Sequence, residues 1–126
     1  MFKDTKAFSG FAVDDLDAAR RFYGETLGIE TEVLEEGNLL VLKLTGGRDT
    51  LVYQKLDFTP ATYTILNFEV DSVDATVDEL VARGVELERY EGFEQDEKGI
   101  DRGDEGPTIA WFTDPAGNIL AVMETS

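Results

Sequence analysis

Cysteine and histidine are both absent from the 126 residues of this chain. The lack of cysteine excludes disulfide bonds, thiolate metal sites and a cysteine nucleophile. The lack of histidine removes the commonest metal ligand, the commonest general base near neutral pH and the serine–histidine triad. A metal site would have only carboxylate and carbonyl ligands, which suit Mg²⁺ or Ca²⁺ better than Zn²⁺, Fe²⁺ or Ni²⁺.

Positive charge is scarce, with 11 Lys and Arg against 27 Asp and Glu and a net charge of −16. Nucleic acids and anionic membranes are therefore poor partners, because such a surface repels both. The acidity is compatible with an ordinary solubilising surface. It is also compatible with a high-salt cytoplasm, where ions screen the self-repulsion that opposes compaction.

Long apolar runs are missing too, and none approaches the roughly 20 residues that a membrane span needs. The N-terminal residues 1–4 lack the apolar core of a signal peptide, so we expect a cytoplasmic protein. Hydrophobic residues make up 42% of the chain, which is typical of a globular protein. The length predicts a single domain spanning residues 1–126.

The chain contains an internal repeat. Residues 13–16 (Val-Asp-Asp-Leu) recur as residues 70–73 (Val-Asp-Ser-Val), and the offset between Val13 and Val70 is 57 residues. In each copy a strand-like stretch, an acidic turn, an amphipathic helix, a glycine and further strands follow in the same order. We therefore predict an α+β fold of two βαβββ modules, over residues 6–57 and 62–124.

Hydrophobic patterning and turn residues predict about eight strands and two main helices. Each helix has two candidate N-caps, Asp14 or Asp15 in the first module and Asp71 or Ser72 in the second. A polar, glycine-rich segment over residues 91–107 is long enough to be a lid or a disordered loop. The predicted strands span residues 6–13, 29–34, 38–44, 50–55, 63–70, 85–90, 108–113 and 118–124.

Two further motifs carry a family resemblance. Phe22-Tyr23 precede Leu27-Gly28, and residues 112–118 read Phe-Thr-Asp-Pro-Ala-Gly-Asn, a turn with apolar flanks. With the duplicated module, these motifs resemble the vicinal oxygen chelate superfamily of glyoxalase I, extradiol dioxygenases and bleomycin or fosfomycin resistance proteins. The resemblance implies that the two sheets form an open, cupped barrel and that the chain forms a homodimer.

The resemblance also implies where a metal would bind in metal-using members. Their two histidines and two glutamates correspond here to Phe8, Ile65, Ala121 and either Leu51 or Val52. All of these side chains are apolar. A shift of one residue brings no better ligand, since Ser9, Thr64, Leu120 and Val122 are the alternatives. We therefore expect neither a metal nor another cofactor, and the lyase and dioxygenase chemistry of the family does not carry over.

Strand alternation, applied to the cup that the resemblance implies, predicts an apolar ligand pocket with few polar groups. Three assignments stay open: Trp111 as a plain core residue, Asn67 as a partner for nearby backbone, and Tyr53 as an outward-facing side chain. The predicted ligand-binding residues are Phe8, Gly10, Ala12, Val52, Tyr53, Ile65, Asn67, Glu69, Trp111 and Ala121.

Two of the rare cations, Lys98 and Arg102, lie in the polar segment over residues 91–107. They could meet an anionic ligand near the mouth of the cup. We favour local pairing with Asp96, Glu97, Asp101 or Asp104, because runs of charge are usually solvated.

We therefore expect a metal-independent, glyoxalase-like or bleomycin-resistance-like protein that binds an apolar or aromatic small molecule. The first alternative is an enzyme, a lyase, isomerase or epimerase, with Glu69 as base and Tyr53 or Tyr90 as acid. Burial would have to bring the pKa of that glutamate towards neutrality. The second alternative is an accessory subunit with a vestigial cup.

Overall fold

The computed structural model describes residues 1–34, 38–103 and 106–124, in two compact units, Met1–Pro60 and Ala61–Ser126. The expected α+β class is confirmed, while residues 35–37, which connect the predicted strands over 29–34 and 38–44, lie outside the described residues. No helix in these ranges is long and apolar enough to cross a membrane. The elements are β1 (Gly10–Val13), α1 (Leu16–Arg20), β2 (Thr31–Leu34), β3 (Leu39–Leu42), β4 (Thr50–Gln54), β5 (Thr64–Glu69), α2 (Val73–Ala82), β6 (Ile109–Thr113) and β7 (Ile119–Met123).

The first unit has the predicted βαβββ order, and its sheet runs β1-β4-β3-β2. β1 pairs with β4 in parallel, and the other two pairings are antiparallel. β1 is shorter than the predicted strand over residues 6–13. The ladder starts at Gly10 opposite Leu51, so the preceding residues lie outside it, apart from a bond from the Leu51 N–H to the Ser9 carbonyl.

Asp15 caps the N-terminus of α1, and its carboxylate accepts a hydrogen bond from the Ala18 N–H. After α1 the backbone continues as a π-helical segment over Arg21–Thr26, which the sequence did not predict. The Leu27 N–H bonds the Phe22 carbonyl at 2.9 Å, the wider spacing that defines such a segment. Gly24 lies in this segment, where an added Cβ would sit 3.3 Å from the Thr31 hydroxyl, so a small residue suits this close approach.

The second unit departs from the prediction at one strand. Its sheet runs β5-β7-β6, and residues 85–90 form no regular strand beside β6. Leu87 makes a single antiparallel bridge to Phe112, and the Glu88 N–H donates to the Trp111 carbonyl. On the side of residues 85–90 away from β6, the Gln95 side chain bonds the Tyr90 N–H and the Glu88 carbonyl, which a further strand would otherwise bond. The described residues therefore contain seven strands rather than the predicted eight.

Each sheet is covered on one face by the helix of its own unit. Because side chains alternate along a strand, the buried aliphatic and aromatic residues at every second strand position face the helix. The opposite face of each sheet is therefore not covered by its unit's helix. The helix-side core comprises Val13, Leu16, Ala19, Leu40, Leu42 and Val52 in the first unit, and Val73, Val77, Leu80, Ala110, Phe112, Leu120 and Val122 in the second.

The turn between β6 and β7 is organised by the buried side chain of Asp114. Its Oδ1 accepts hydrogen bonds from the backbone N–H groups of Ala116 and Asn118, at 3.0 and 2.9 Å. Its Oδ2 accepts a bond from the Asn118 side-chain amide, and Gly117 supplies the positive φ of 96°. The motif that carries the family resemblance thus acts here as a structural turn.

Candidate functional site

The face of each sheet opposite its own helix is called the open face here. In the second unit, this face brings together three of the predicted ligand-binding residues. Asn67 pairs with Ala121 across β5 and β7, and Ala121 pairs with Trp111 across β7 and β6. Residues opposed across neighbouring strands share a face, so these three side chains form one row. Glu69 lies two residues further along β5, beside Met123 and on the same face.

An aromatic cluster of Tyr90, Phe93 and Trp111 occupies the β6 end of this row. The Tyr90 and Trp111 ring centroids are 5.7 Å apart with near-perpendicular planes, and those of Phe93 and Trp111 are 4.9 Å apart. Both arrangements are favourable for aromatic pairs. Trp111 is only 8% exposed, whereas Phe93 is 51% exposed, so Phe93 presents the larger open ring surface of the cluster.

The hydroxyl of Tyr90 is buried, and no described residue forms a hydrogen bond with it. Burial raises the pKa of this hydroxyl, and the nearby carboxylate of Glu88 raises it further. The group therefore stays protonated at neutral pH and keeps its donor. Leaving a buried hydroxyl unbonded costs about 1–3 kcal/mol, which a ligand with a suitable polar atom would recover.

Gln95 holds the aromatic cluster in place through three hydrogen bonds. Its carbonyl oxygen accepts from the Tyr90 N–H at 2.8 Å, and its amide donates to the carbonyls of Glu88 and Gly99 at 2.9 and 2.8 Å. The bonds tie the segment bearing Tyr90 to a small hairpin over residues 95–101, which pairs with Ile109 through Asp101. The described part of the predicted loop is thus structured rather than disordered.

The cations of this hairpin region are paired with carboxylates. Arg102 donates two hydrogen bonds to Asp74 on α2, at 2.7 and 2.9 Å, and a third to Asp96 at 3.0 Å. Lys98 forms ion pairs with Asp78 at 2.9 Å and with Asp74 at 3.3 Å. Local pairing thus involves Asp96, as predicted, and two further acids on α2. These ion pairs hold Lys98 and Arg102 at the helix.

The pKa values of this network move in the directions that such pairing produces. The hydrogen bond from Arg102 holds the pKa of Asp74 well below its usual range. Burial works to raise the pKa of Asp96, but backbone N–H donors from Ile100 and Lys98, together with Arg102, lower it overall. The hydrogen bond to Asp78 raises the pKa of Lys98. Asp74, Asp96 and Lys98 are therefore charged near neutral pH.

In the first unit, Gly10, Ala12 and Tyr53 share the open face, because Ala12 pairs with Tyr53 and Gly10 lies two residues before Ala12. Val52 does not join them. It pairs with Phe11 and lies fully buried on the helix side, so its place in the predicted ligand set is corrected. An added Cβ at Gly10 would sit 3.1 Å from the Leu51 carbonyl oxygen, so close packing of β4 also accounts for this glycine.

Two other predicted residues lie outside the regular rows. Phe8 precedes β1 and is 63% exposed. Ile65 lies where the register between β5 and β7 shifts, between paired Thr64 and Leu66. The alternation that placed Ile65 with Asn67 and Glu69 does not continue through this irregularity. The structure therefore does not align Phe8 or Ile65 with the other candidates.

The residues present do not fit the metal of metal-using relatives. The positions implied for its ligands hold Phe8, Ile65, Ala121 and Leu51 or Val52, and none has a donor atom in its side chain. Across residues 1–34, 38–103 and 106–124, no group of three or more acidic, histidine or cysteine residues is placed to hold an ion.

Two of the groups that the enzymatic alternative requires, Glu69 and Tyr53, are exposed to solvent. Glu69, its candidate base, is exposed, and Tyr53, one candidate acid, is 42% exposed. Tyr90, the other candidate acid, lies in the aromatic cluster of the second unit. Solvation of Glu69 removes the burial on which that mechanism depends.

The sequence reasoning missed Phe93 and Gln95. Phe93 is an apolar residue in an otherwise polar stretch, and this signal could have identified it. Gln95 gives no comparable signal, because its role depends on backbone groups that come together only in the folded chain. Tyr90 entered the prediction only as a candidate acid.

Comparison with known proteins agrees with this architecture. A glyoxalase family protein from Bacillus anthracis has 23% sequence identity and a TM-score of 0.75, with 100% of both chains covered. Lactoylglutathione lyase from Agrobacterium tumefaciens has 24% identity and a TM-score of 0.65, with 97% of this chain and 95% of that chain covered. At these identities the likeness shows the fold alone.

An antibiotic binding protein, TnmS3 from Streptomyces sp. CB03234, has 24% identity, a TM-score of 0.66 and 98% coverage of both chains. A search of functionally curated proteins finds no match. The sequence model of one family matches residues 8–122, nearly the whole chain and both units. With two strand–helix–strand units and the Asp114 turn in place, the chain belongs to the Glyoxalase/Bleomycin resistance protein/Dioxygenase superfamily.

Proposed function

We propose that this protein binds an aromatic small molecule without a metal, at the aromatic cluster of the second unit. The observation that carries the proposal is the buried, unbonded hydroxyl of Tyr90 beside the rings of Phe93 and Trp111. Aromatic walls with one convergent polar group are typical of small-molecule sites. The similarity to an antibiotic binding protein supports a binding role for this chain.

The other predicted residues fall into two groups, one that extends this site and one that lies in the first unit. Asn67 and Ala121 share the row of Trp111 and extend the site across the sheet. Gly10, Ala12 and Tyr53 form a second candidate surface within the first unit, and their part in binding stays a prediction. A homodimer and a cytoplasmic location also stay predictions, which light scattering and cell fractionation would test.

The test uses 1-naphthalenemethanol, a neutral aromatic alcohol, titrated by calorimetry in buffer with EDTA. Tyr90→Phe removes only the hydroxyl, and we expect it to weaken binding roughly threefold to tenfold, the effect of one net hydrogen bond. Tyr63→Phe is the matched control, because Tyr63 is 69% exposed in the same unit. Phe93→Ala should weaken binding further by removing a stacking surface.

The chain contains one tryptophan, so its fluorescence reports on Trp111 alone. Gln95→Ala should change this emission in the free protein, because Gln95 holds the segments that carry Tyr90 and Phe93. A thermal-shift screen extends the test to other neutral aromatic compounds. Absence of binding by every aromatic probe, or equal effects of Tyr90→Phe and Tyr63→Phe, would contradict the proposal.

A further inference from the structure

Every lysine and arginine of the second unit is engaged by a protein partner. Arg83 bonds Glu79 on α2 at 2.9 Å, and Arg89 donates to the carbonyls of Asp96 and Glu97 at 2.7 and 2.6 Å. The remaining two, Lys98 and Arg102, bind the carboxylates of α2 as described above. Three of the four cations are thus tied to the helix that covers the other face of the sheet.

The open face has the opposite character. Its register places Glu69 on β5 with the row of Asn67, and the bridge at Leu87 places Glu88 opposite Trp111. Glu91 and Glu94 flank Phe93 in sequence, and both are exposed. Among the residues described, the charged side chains that register or sequence places beside the aromatic cluster are these carboxylates and Arg89, whose guanidinium is engaged by the carbonyls of Asp96 and Glu97.

Two hydrogen bonds hold the backbone of Glu88 beside the aromatic cluster. Its N–H donates to the Trp111 carbonyl at 2.8 Å, and its carbonyl accepts from the Gln95 amide at 2.9 Å. The backbone N–H and carbonyl of Glu88 are thereby both fixed beside the aromatic cluster. The Leu87–Phe112 bridge places Glu88 opposite Trp111, and after burial its carboxylate is the second cause that raises the pKa of the Tyr90 hydroxyl.

Aromatic ring faces carry negative electrostatic potential and attract cations. A carboxylate beside such rings adds to the attraction, and an anion would meet repulsion from both. We propose that the ligand of this site is a cation, an aromatic amine or quaternary ammonium compound, whose ring stacks on the aromatic cluster and whose charge faces Glu88. This inference rests on the proposed function and names the ligand class.

The test compares three probes with the same ring and different charge. 1-Naphthylmethylamine is a cation at pH 7, 1-naphthalenemethanol is neutral and 1-naphthoate is an anion. Calorimetry at low salt with EDTA should show the amine binding about fivefold tighter than the alcohol, and the naphthoate binding weakest. Molar KCl should reduce the preference for the amine, because salt screens the charge pair.

Two charge-matched variants separate the local carboxylate from the net charge of −16. Glu88→Gln should reduce the preference for the amine over the alcohol to less than about twofold. Glu79→Gln removes the same charge on α2 and should preserve the preference. Melting temperatures confirm first that both variants fold.

Each remaining outcome decides a different question. Equal binding of amine and alcohol, tightest binding of naphthoate, or equal effects of the two glutamate variants would overturn the inference about charge and Glu88. These results would leave the proposed aromatic site intact as long as the alcohol binds. Failure of all three probes to bind would instead count against the proposed function itself.

Discussion

Gln95 offers the sharpest test of how the aromatic cluster is held. Its side chain makes three hydrogen bonds to the backbone of Tyr90, Glu88 and Gly99, all between 2.8 and 2.9 Å. Gln95→Ala leaves these three partly buried backbone groups without their partner. A net hydrogen bond contributes about 0.5–1.5 kcal/mol, so we expect a loss of about 3 kcal/mol in the free energy of unfolding.

Gln54 supplies a control of the same residue type. Its side-chain oxygen accepts one hydrogen bond, from the Leu16 N–H at 2.9 Å. Gln54→Ala should therefore cost about 1 kcal/mol. For a domain of this size, the two variants should lower the melting temperature by about 10 °C and 4 °C respectively.

The assay is urea denaturation followed by circular dichroism, with Trp111 emission recorded on the same samples. Gln95→Ala should also shift the emission, because Tyr90 and Phe93 pack against Trp111. Gln54→Ala should leave it unchanged. If the two glutamine variants lose the same stability, or if Gln95→Ala leaves the emission unaltered, the reasoning about the three bonds is refuted.

Further outcomes follow from the other contacts. Asp114→Ala should cost about 2–4 kcal/mol in urea unfolding, since a buried carboxylate loses three hydrogen bonds, whereas Pro115→Ala in the same turn should cost under about 1 kcal/mol. The folded-state pKa of Asp74 is lowered from 3.8, so its contribution to stability is complete above pH 3.8 and is lost as the pH falls below that value. Asp74→Asn should therefore flatten the acid side of a plot of stability against pH. An unchanged acid side would argue against the pairing with Arg102 and Lys98. If the charge of −16 reflects a high-salt source, molar KCl should raise the melting temperature, and equal melting in low and molar KCl would count against that source.

Much of the fold was predictable because it is local. Asp15 and Ser72 cap their helices as the sequence suggested, since capping depends on residues three positions away. The pairing of Trp111 with Ala121 followed from the short turn between them, which sets the register of β6 and β7. The duplicated motif likewise predicted the strand and helix that begin each unit, whereas the strand predicted over residues 85–90 did not form a regular element.

The candidate site was predictable only in part. Asn67, Trp111 and Ala121 were placed correctly in one row by alternation along strands, whereas Val52 was assigned to the wrong face because the register of its strand was open by one residue. The shift near Ile65 could not be read from the sequence. A bulge changes which face of the sheet a side chain occupies, but it leaves no clear mark in the pattern of hydrophobic residues along the strand.

The sequence by itself determined the class of the protein, the absence of histidine and cysteine ligands, the acidic surface and the apolar residues at the implied metal positions. Only the tertiary structure decided how the groups distant in sequence meet. Arg102 reaches Asp74, 28 residues away, and Gln95 replaces a strand partner for Tyr90. Such contacts depend on where the folded backbone brings its donors and acceptors, and residue order alone does not specify those positions.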